Sequence, residues 1–334
     1  MRFDVVRQPL VPALLSLVIL TTVGLLHAVG VAPLPDPRWG LSPELLPLLP
    51  LGSALTQFQA LWPVAAKLMT ALLLLYTGLS LGRLTVRCNL YGVGTGLPIP
   101  LFGMVLLGCL QQQVTLKAVF GVMLLMLSVK NFARAYRNEF SFDRLFRGAL
   151  FLALLLLTEP AAMPLVLLPV AAVVRFRRTG REALVTLGGL LLPPLTLAYL
   201  NWACGGSLAA PFAALWRSCE GGGPLFGYLL QSSLAERIFL GWLFVMNLAA
   251  MLLFHSNSYN VGMRARHILL FTTRLLLLCI VVLPIYGASA STAALLAVPS
   301  TLLLPLFFIH IRSAIAQTVY LLWFAATLAG LFLQ

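Results

Sequence analysis

Apolar runs follow one another along this chain, and its cations stand in short clusters between them. Only 9% of the 334 residues are charged and 60% are hydrophobic, with a mean hydropathy of +0.98. A soluble domain carries roughly a quarter charged residues. With so few, no water-facing shell covers a core, and hydrocarbon is the solvent for most of the surface. The pattern predicts an all-α, polytopic transmembrane helix bundle.

Apolar segments with charged or Pro/Gly punctuation predict about eleven spans. They are approximately 10–31, 61–82, 97–110, 114–130, 145–157, 161–174, 184–201, 238–255, 267–286, 290–309 and 315–333. Several are short for a bilayer core of about 30 Å. The third with the fourth, and the fifth with the sixth, therefore read as paired hairpins. Their turns, Gln111-Gln112-Gln113 and Thr158-Glu159-Pro160, are expected inside protein rather than against lipid. Arg2 to Val31 mimics a signal peptide, with Ala28 to Ala32 as a cleavage site, but its apolar core of about twenty residues is longer than an h-region and reads as a retained helix.

The net charge of +13 excludes little by itself, since placement decides its meaning. An inside N-terminus puts Arg2, Arg7, Arg83, Arg87, Lys130, Arg134, Arg137, Arg144, Arg147, the Arg175–Arg181 cluster, Arg264, Arg266 and Arg312 on the cytoplasmic side, 16 of the 22 cations. Arg38, Lys67, Lys117, Arg217 and Arg237 fall outside, and Arg274 falls within a span. The inverse orientation translocates most of the basic charge, against the positive-inside rule. Cations spread as topology signals argue against a nucleic-acid partner, and the chain is expected to be a multi-pass protein of a bacterial inner membrane.

Two outer segments stand out. Ala32 to Ala60 interleaves prolines with leucines and reads as a stretch lying in the interface. Trp202 to Glu236 contains the apolar runs 208–216 and 225–234, which read as short re-entrant or surface helices or as a plain connection. Cys204 and Cys219 both fall there, where the compartment permits a disulfide. Cys88, Cys109 and Cys279 read as buried or inner thiols. The run Gly92 to Gly96 lacks the strand before it and the GK[ST] ending of a phosphate loop, and reads as a cytoplasmic turn.

Between Phe146 and Trp202 a helix, a Pro-containing turn, a second short helix, a basic loop and a helix with a Pro pair succeed one another. This order resembles the corresponding hairpin of polyprenyl-phosphate-dependent GT-C glycosyltransferases, and the first seven spans with their long first outer loop resemble the GT-C core. The same hairpin, with Asn257–Leu278 and Leu295–Arg312, is similar to an uncharacterised family of Bacteroidota polytopic inner-membrane proteins, a domain-of-unknown-function family. The division implied is 1–201 as a seven-helix core, 202–237 as an extracytoplasmic loop with short surface helices, and 238–334 as a four-helix membrane region.

The GT-C resemblance implies an acidic residue in the first outer loop, and that loop offers Asp36 and Glu44. Neither belongs to a paired acidic motif that would hold a divalent metal. Four histidines, His27, His255, His267 and His310, show no spacing that puts two ligands on one face, which argues against a mononuclear iron site. Charges inside apolar segments are costly, about 2.5–3.5 kcal/mol on insertion scales. Lys67, Lys117, Glu159, Arg217, Glu220, Glu236 and Arg237 are all expected on the outer half, either lining a polar cavity with a lipid phosphate or pyrophosphate, or snorkelling while Glu159 pairs with a lysine. Arg274 has no acid expected at its depth, which points to a lipid phosphate or a partner protein. Two function classes stay open: a non-catalytic membrane subunit or scaffold that binds lipid or a partner envelope protein, and a transferase using a polyprenyl-phosphate-linked sugar at the outer face. A lipid or substrate transporter is a third, weaker reading, because no internal repeat is visible. No cofactor is expected beyond bound polyprenyl phosphate or phospholipid.

Overall fold

The computed structural model describes residues 9–27, 50–111, 114–136, 141–220, 226–256, 262–285 and 287–332. All regular structure among the described residues is helical. The order is α1 (Leu10–His27), α2 (Pro50–Leu61), α3 (Pro63–Cys88), α4 (Pro98–Cys109), α5 (Leu116–Ala135), α6 (Phe142–Thr158), a 3₁₀ segment (Pro160–Val166), α7 (Leu167–Arg175) and α8 (Gly180–Ala203). After α9 (Ala210–Glu220) and α10 (Gly227–Gln231) come α11 (Leu234–Ser256), α12 (Met263–Val282), α13 (Ala290–Ala294), α14 (Ala297–His310) and α15 (Ser313–Phe332). Helix lies in each of the eleven apolar segments. Among the described residues, seven stretches are long and apolar enough to cross a membrane: α3, α5, α8, α11, α12, α13 with α14, and α15. The chain is thus a multi-pass helical membrane protein.

Local chemistry sets the ends. Pro63 and Pro98 open α3 and α4 at positions whose N–H groups have no intrahelical partner. Thr115 caps α5, its hydroxyl accepting from Ala118 N–H at 3.3 Å. Thr179 and Glu182 form a reciprocal capping box that starts α8. Asn89, in the left-handed region at φ 47°, ends α3. Pro160 ends α6 by holding Glu159 extended.

Burial sorts the helices into an inner pair and an outer ring. Every residue of α4 is buried, as is nearly all of α14. These two pack on each other, α4 also against α1 and α3, and α14 against α11 and α12. A helix that is apolar all round belongs in such a centre. Around them α6 lies between α5 and α8, with a close approach at Gly189, where a Cβ would stand 2.5 Å from the Phe146 carbonyl oxygen. Buried polar contacts knit the centre: Tyr91 donates to the Leu302 carbonyl at 2.8 Å, and Asn247 of α11 donates to Ser300 of α14 at 3.0 Å.

Two expectations change. The third and fourth spans are not a packed hairpin, because the principal neighbours of α4 are α1, α3 and α14 while α5 packs on α3 and α6. The stretch expected to lie in the interface also contributes α2, which packs against α3, α5 and α6. The two outer runs at 208–216 and 225–234 give the short helices α9 and α10, and α9 packs on α8 and the 3₁₀ segment.

Candidate functional site

The interruption of an apolar run by Thr158-Glu159-Pro160 puts a carboxylate where hydrocarbon is expected, and the fold surrounds it with partners. Glu159 Oε2 accepts from Lys117 Nζ at 2.8 Å, with the glutamate side chain 8% exposed and the lysine 24%. Its other oxygen, Oε1, accepts from Ser291 at 2.5 Å and from Ser289 at 3.2 Å, and those two hydroxyls are 2.7 Å apart. One acid therefore joins α5, the end of α6 and the residues opening α13. An ion pair taken out of water needs such extra hydrogen bonds to offset its desolvation.

The node is closed on one side by α2. Gly52 lies so close that a Cβ there would stand 3.0 Å from the Thr158 carbonyl oxygen and 3.7 Å from Lys117 Cε. Seven residues on, the Gln59 side-chain carbonyl accepts from Leu116 N–H at 3.0 Å, taking up one of the unpartnered donors at the start of α5. Beside the node, Pro160, Ala161, Met163, Pro164 and Ile285 line an open apolar cavity of about 330 Å³. A hydrocarbon chain suits that lining, and a polar headgroup does not.

Lys117 and Glu159 are the two expected site residues that the structure brings together. Lys67 is half-buried on α3, while Arg217, Arg237 and Arg274 are exposed, and among the described residues none of these four is in an ion pair. Glu236 is buried at the first turn of α11, where Oε2 accepts from Ser233 N–H at 3.1 Å and Ser233 Oγ accepts from Glu236 N–H at 3.2 Å. Asp36, Glu44 and the side chains of Cys219 and Glu220 lie outside the described residues, and Cys204 is an exposed thiol just after α8. Ser289 and Ser291 were not anticipated. The signal for them is a hydroxyl cluster, Ser289-Ala290-Ser291-Thr292, between two apolar segments.

At one end of the bundle the cations gather. Lys130 donates to Ser80 at 3.5 Å, lies 5.9 Å above the Tyr76 ring, and feels the charges of Arg134, Arg87 and Arg83. Arg144 donates to the Arg134 carbonyl at 2.9 Å, Arg178 to the Ala135 carbonyl, and Arg264 to Cys88 Sγ at 3.4 Å. Tyr136 stacks on His267 with ring centres 5.1 Å apart, and His310 Nδ1 sits 2.7 Å from the Leu306 carbonyl. The described residues contain no group of three or more His, Cys, Asp or Glu that could hold a metal ion.

What this arrangement can do is bind and brace. Both oxygens of the buried Glu159 carboxylate are engaged by protein donors, and the adjoining cavity is lined by carbon. Comparison with protein-family models, with curated proteins and with solved structures finds no match.

Proposed function

We propose that this chain is a non-catalytic integral subunit or scaffold of a bacterial cytoplasmic membrane, with about eleven passes and its N-terminus inside, that binds lipid or a partner membrane protein through apolar faces. The observation that supports this reading best is the engagement of Glu159 on both oxygens, by Lys117 on one and by Ser289 and Ser291 on the other. A carboxylate so occupied serves architecture and does not stand ready as a base for an incoming substrate. The outer ring supports it further. In α8 and α15 only 22% of the spanning window is buried, so each keeps a broad apolar face for lipid or for another protein.

The test is affinity purification from membranes in a mild detergent, followed by native electrophoresis. The subunit reading expects a discrete larger assembly with a stoichiometric partner, and no loss of cellular function for Asp36→Asn or Glu44→Gln at unchanged protein level. A monomer whose function is abolished by either substitution instead supports the GT-C-like transferase at the outer face.

A further inference from the structure

Where α7 packs on α12, aromatic side chains meet and arginines share their neighbourhood. Phe176, directly after α7, lies 5.5 Å from Phe271 of α12 and 5.5 Å from Tyr136, which in turn stacks on His267. This locks the end of α7 against α12 and leaves Arg175 in the field of Arg274, Arg266 and Arg177. His267 feels Arg175, Arg177 and Arg266 in the same way. Guanidinium groups that have no carboxylate partner offer a seat to an anion.

The chain's described acids do not supply that anion. Asp143 is held by Arg147, Glu159 by Lys117 and Glu182 by Arg178, while Glu236 caps α11 at its other end. Arg175 and Arg274 make no ion pair among the described residues, and Arg175 Nε is shielded from solvent without a hydrogen-bond acceptor. Arg274 lies about 16 Å along α12 from its start, at 1.5 Å per residue, within reach of headgroup depth by snorkelling toward the basic end.

We propose that Arg175 and Arg274 bind the phosphate of an anionic phospholipid between α7 and α12 at the cytoplasmic end. Two arginines present forked donors that match a phosphodiester. The surroundings favour a lipid over free phosphate. Leu277 and Val281 are exposed on the side of α12 that carries Arg274, and Val170 and Val174 are exposed on α7 next to Arg175. Charge at headgroup level with apolar stripes running away from it is the pattern of one lipid molecule. This deepens the membrane-subunit reading and rests on its orientation.

The experiment is native mass spectrometry of the purified chain in detergent with an equal mixture of phosphatidylglycerol and phosphatidylcholine. The unsubstituted chain should retain phosphatidylglycerol in preference, and Arg175→Gln with Arg274→Gln should weaken that preference at least about fivefold. Arg274→Gln alone, at an exposed position and so compatible with folding, should give part of the loss, and Arg147→Gln none. Millimolar inorganic phosphate should not displace the lipid. Equal retention by the unsubstituted and doubly substituted chains overturns the proposal, as does displacement by inorganic phosphate, or a double variant that keeps its lipid and loses a co-purifying acidic protein. Absence of a partner assembly with the lipid preference intact counts against the subunit reading alone.

Discussion

Lys117 of α5 and Glu159 at the end of α6 meet at 2.8 Å, and Ser289 and Ser291 complete the acid's partners from the start of α13. The pair joins segments distant in sequence at a point where an isolated charge would be expensive.

Removing one partner therefore costs more than removing both. Lys117→Met leaves a buried carboxylate and should destabilise the chain by about 3 kcal/mol, as breaking a buried pair does. The combination Lys117→Met with Glu159→Leu should recover much of that loss. Denaturant or thermal unfolding in detergent, run as a double-mutant cycle, reads the coupling directly.

The α6–α8 contact yields a contrast between neighbouring glycines. At Gly189 a Cβ would press on the backbone oxygen of Phe146, which cannot rotate away, so Gly189→Ala should cost about 1–3 kcal/mol. At Gly188 a Cβ meets open space, so Gly188→Ala should be neutral or stabilising by up to about 1 kcal/mol. Thermal midpoints of the two variants in one detergent decide it.

Asn247 and Ser300 tie α11 to the centre of the bundle through a hydrogen bond of 3.0 Å between buried side chains. Interhelical bonds of this type couple by about 0.6 kcal/mol on average and up to about 1.7 kcal/mol. Ser300→Ala should lower stability within that range, and in an Asn247→Leu background it should lower it less. Unfolding of the two single variants and the double variant measures the difference.

Helix positions were legible because hydrophobic runs and Pro, Gly or charged breaks are local signals. Thus α3, α5, α8, α11 and α12 fall where the apolar segments stand. Which helices touch was not legible. Since α4 and α14 are largely apolar and buried on nearly every face, no stripe in either points to a neighbour, and the central contact between them left no trace in periodicity. The acid Glu159 was visible as an intruder in an apolar run, and pairing with a lysine was among its expected fates. The choice of Lys117 over Lys67, and the contribution of Ser289 and Ser291, are long-range matters. So is the crowding at Arg175, which depends on aromatic packing of Phe176 on Phe271. The role of α2 escaped for another reason: Gly52 and Gln59 act through a close backbone approach and a cap on a different helix.

The lipid site at Arg175 and Arg274 and the subunit reading both depend on the arginine-rich end facing the cytoplasm. The most direct measurement fuses the chain after Gln334 to alkaline phosphatase and, separately, to a green fluorescent protein, with matching fusions after Thr179. The account predicts an active phosphatase and a dark fluorophore after Gln334, and the reverse after Thr179. A fluorescent fusion after Gln334, or an active phosphatase after Thr179, would contradict it.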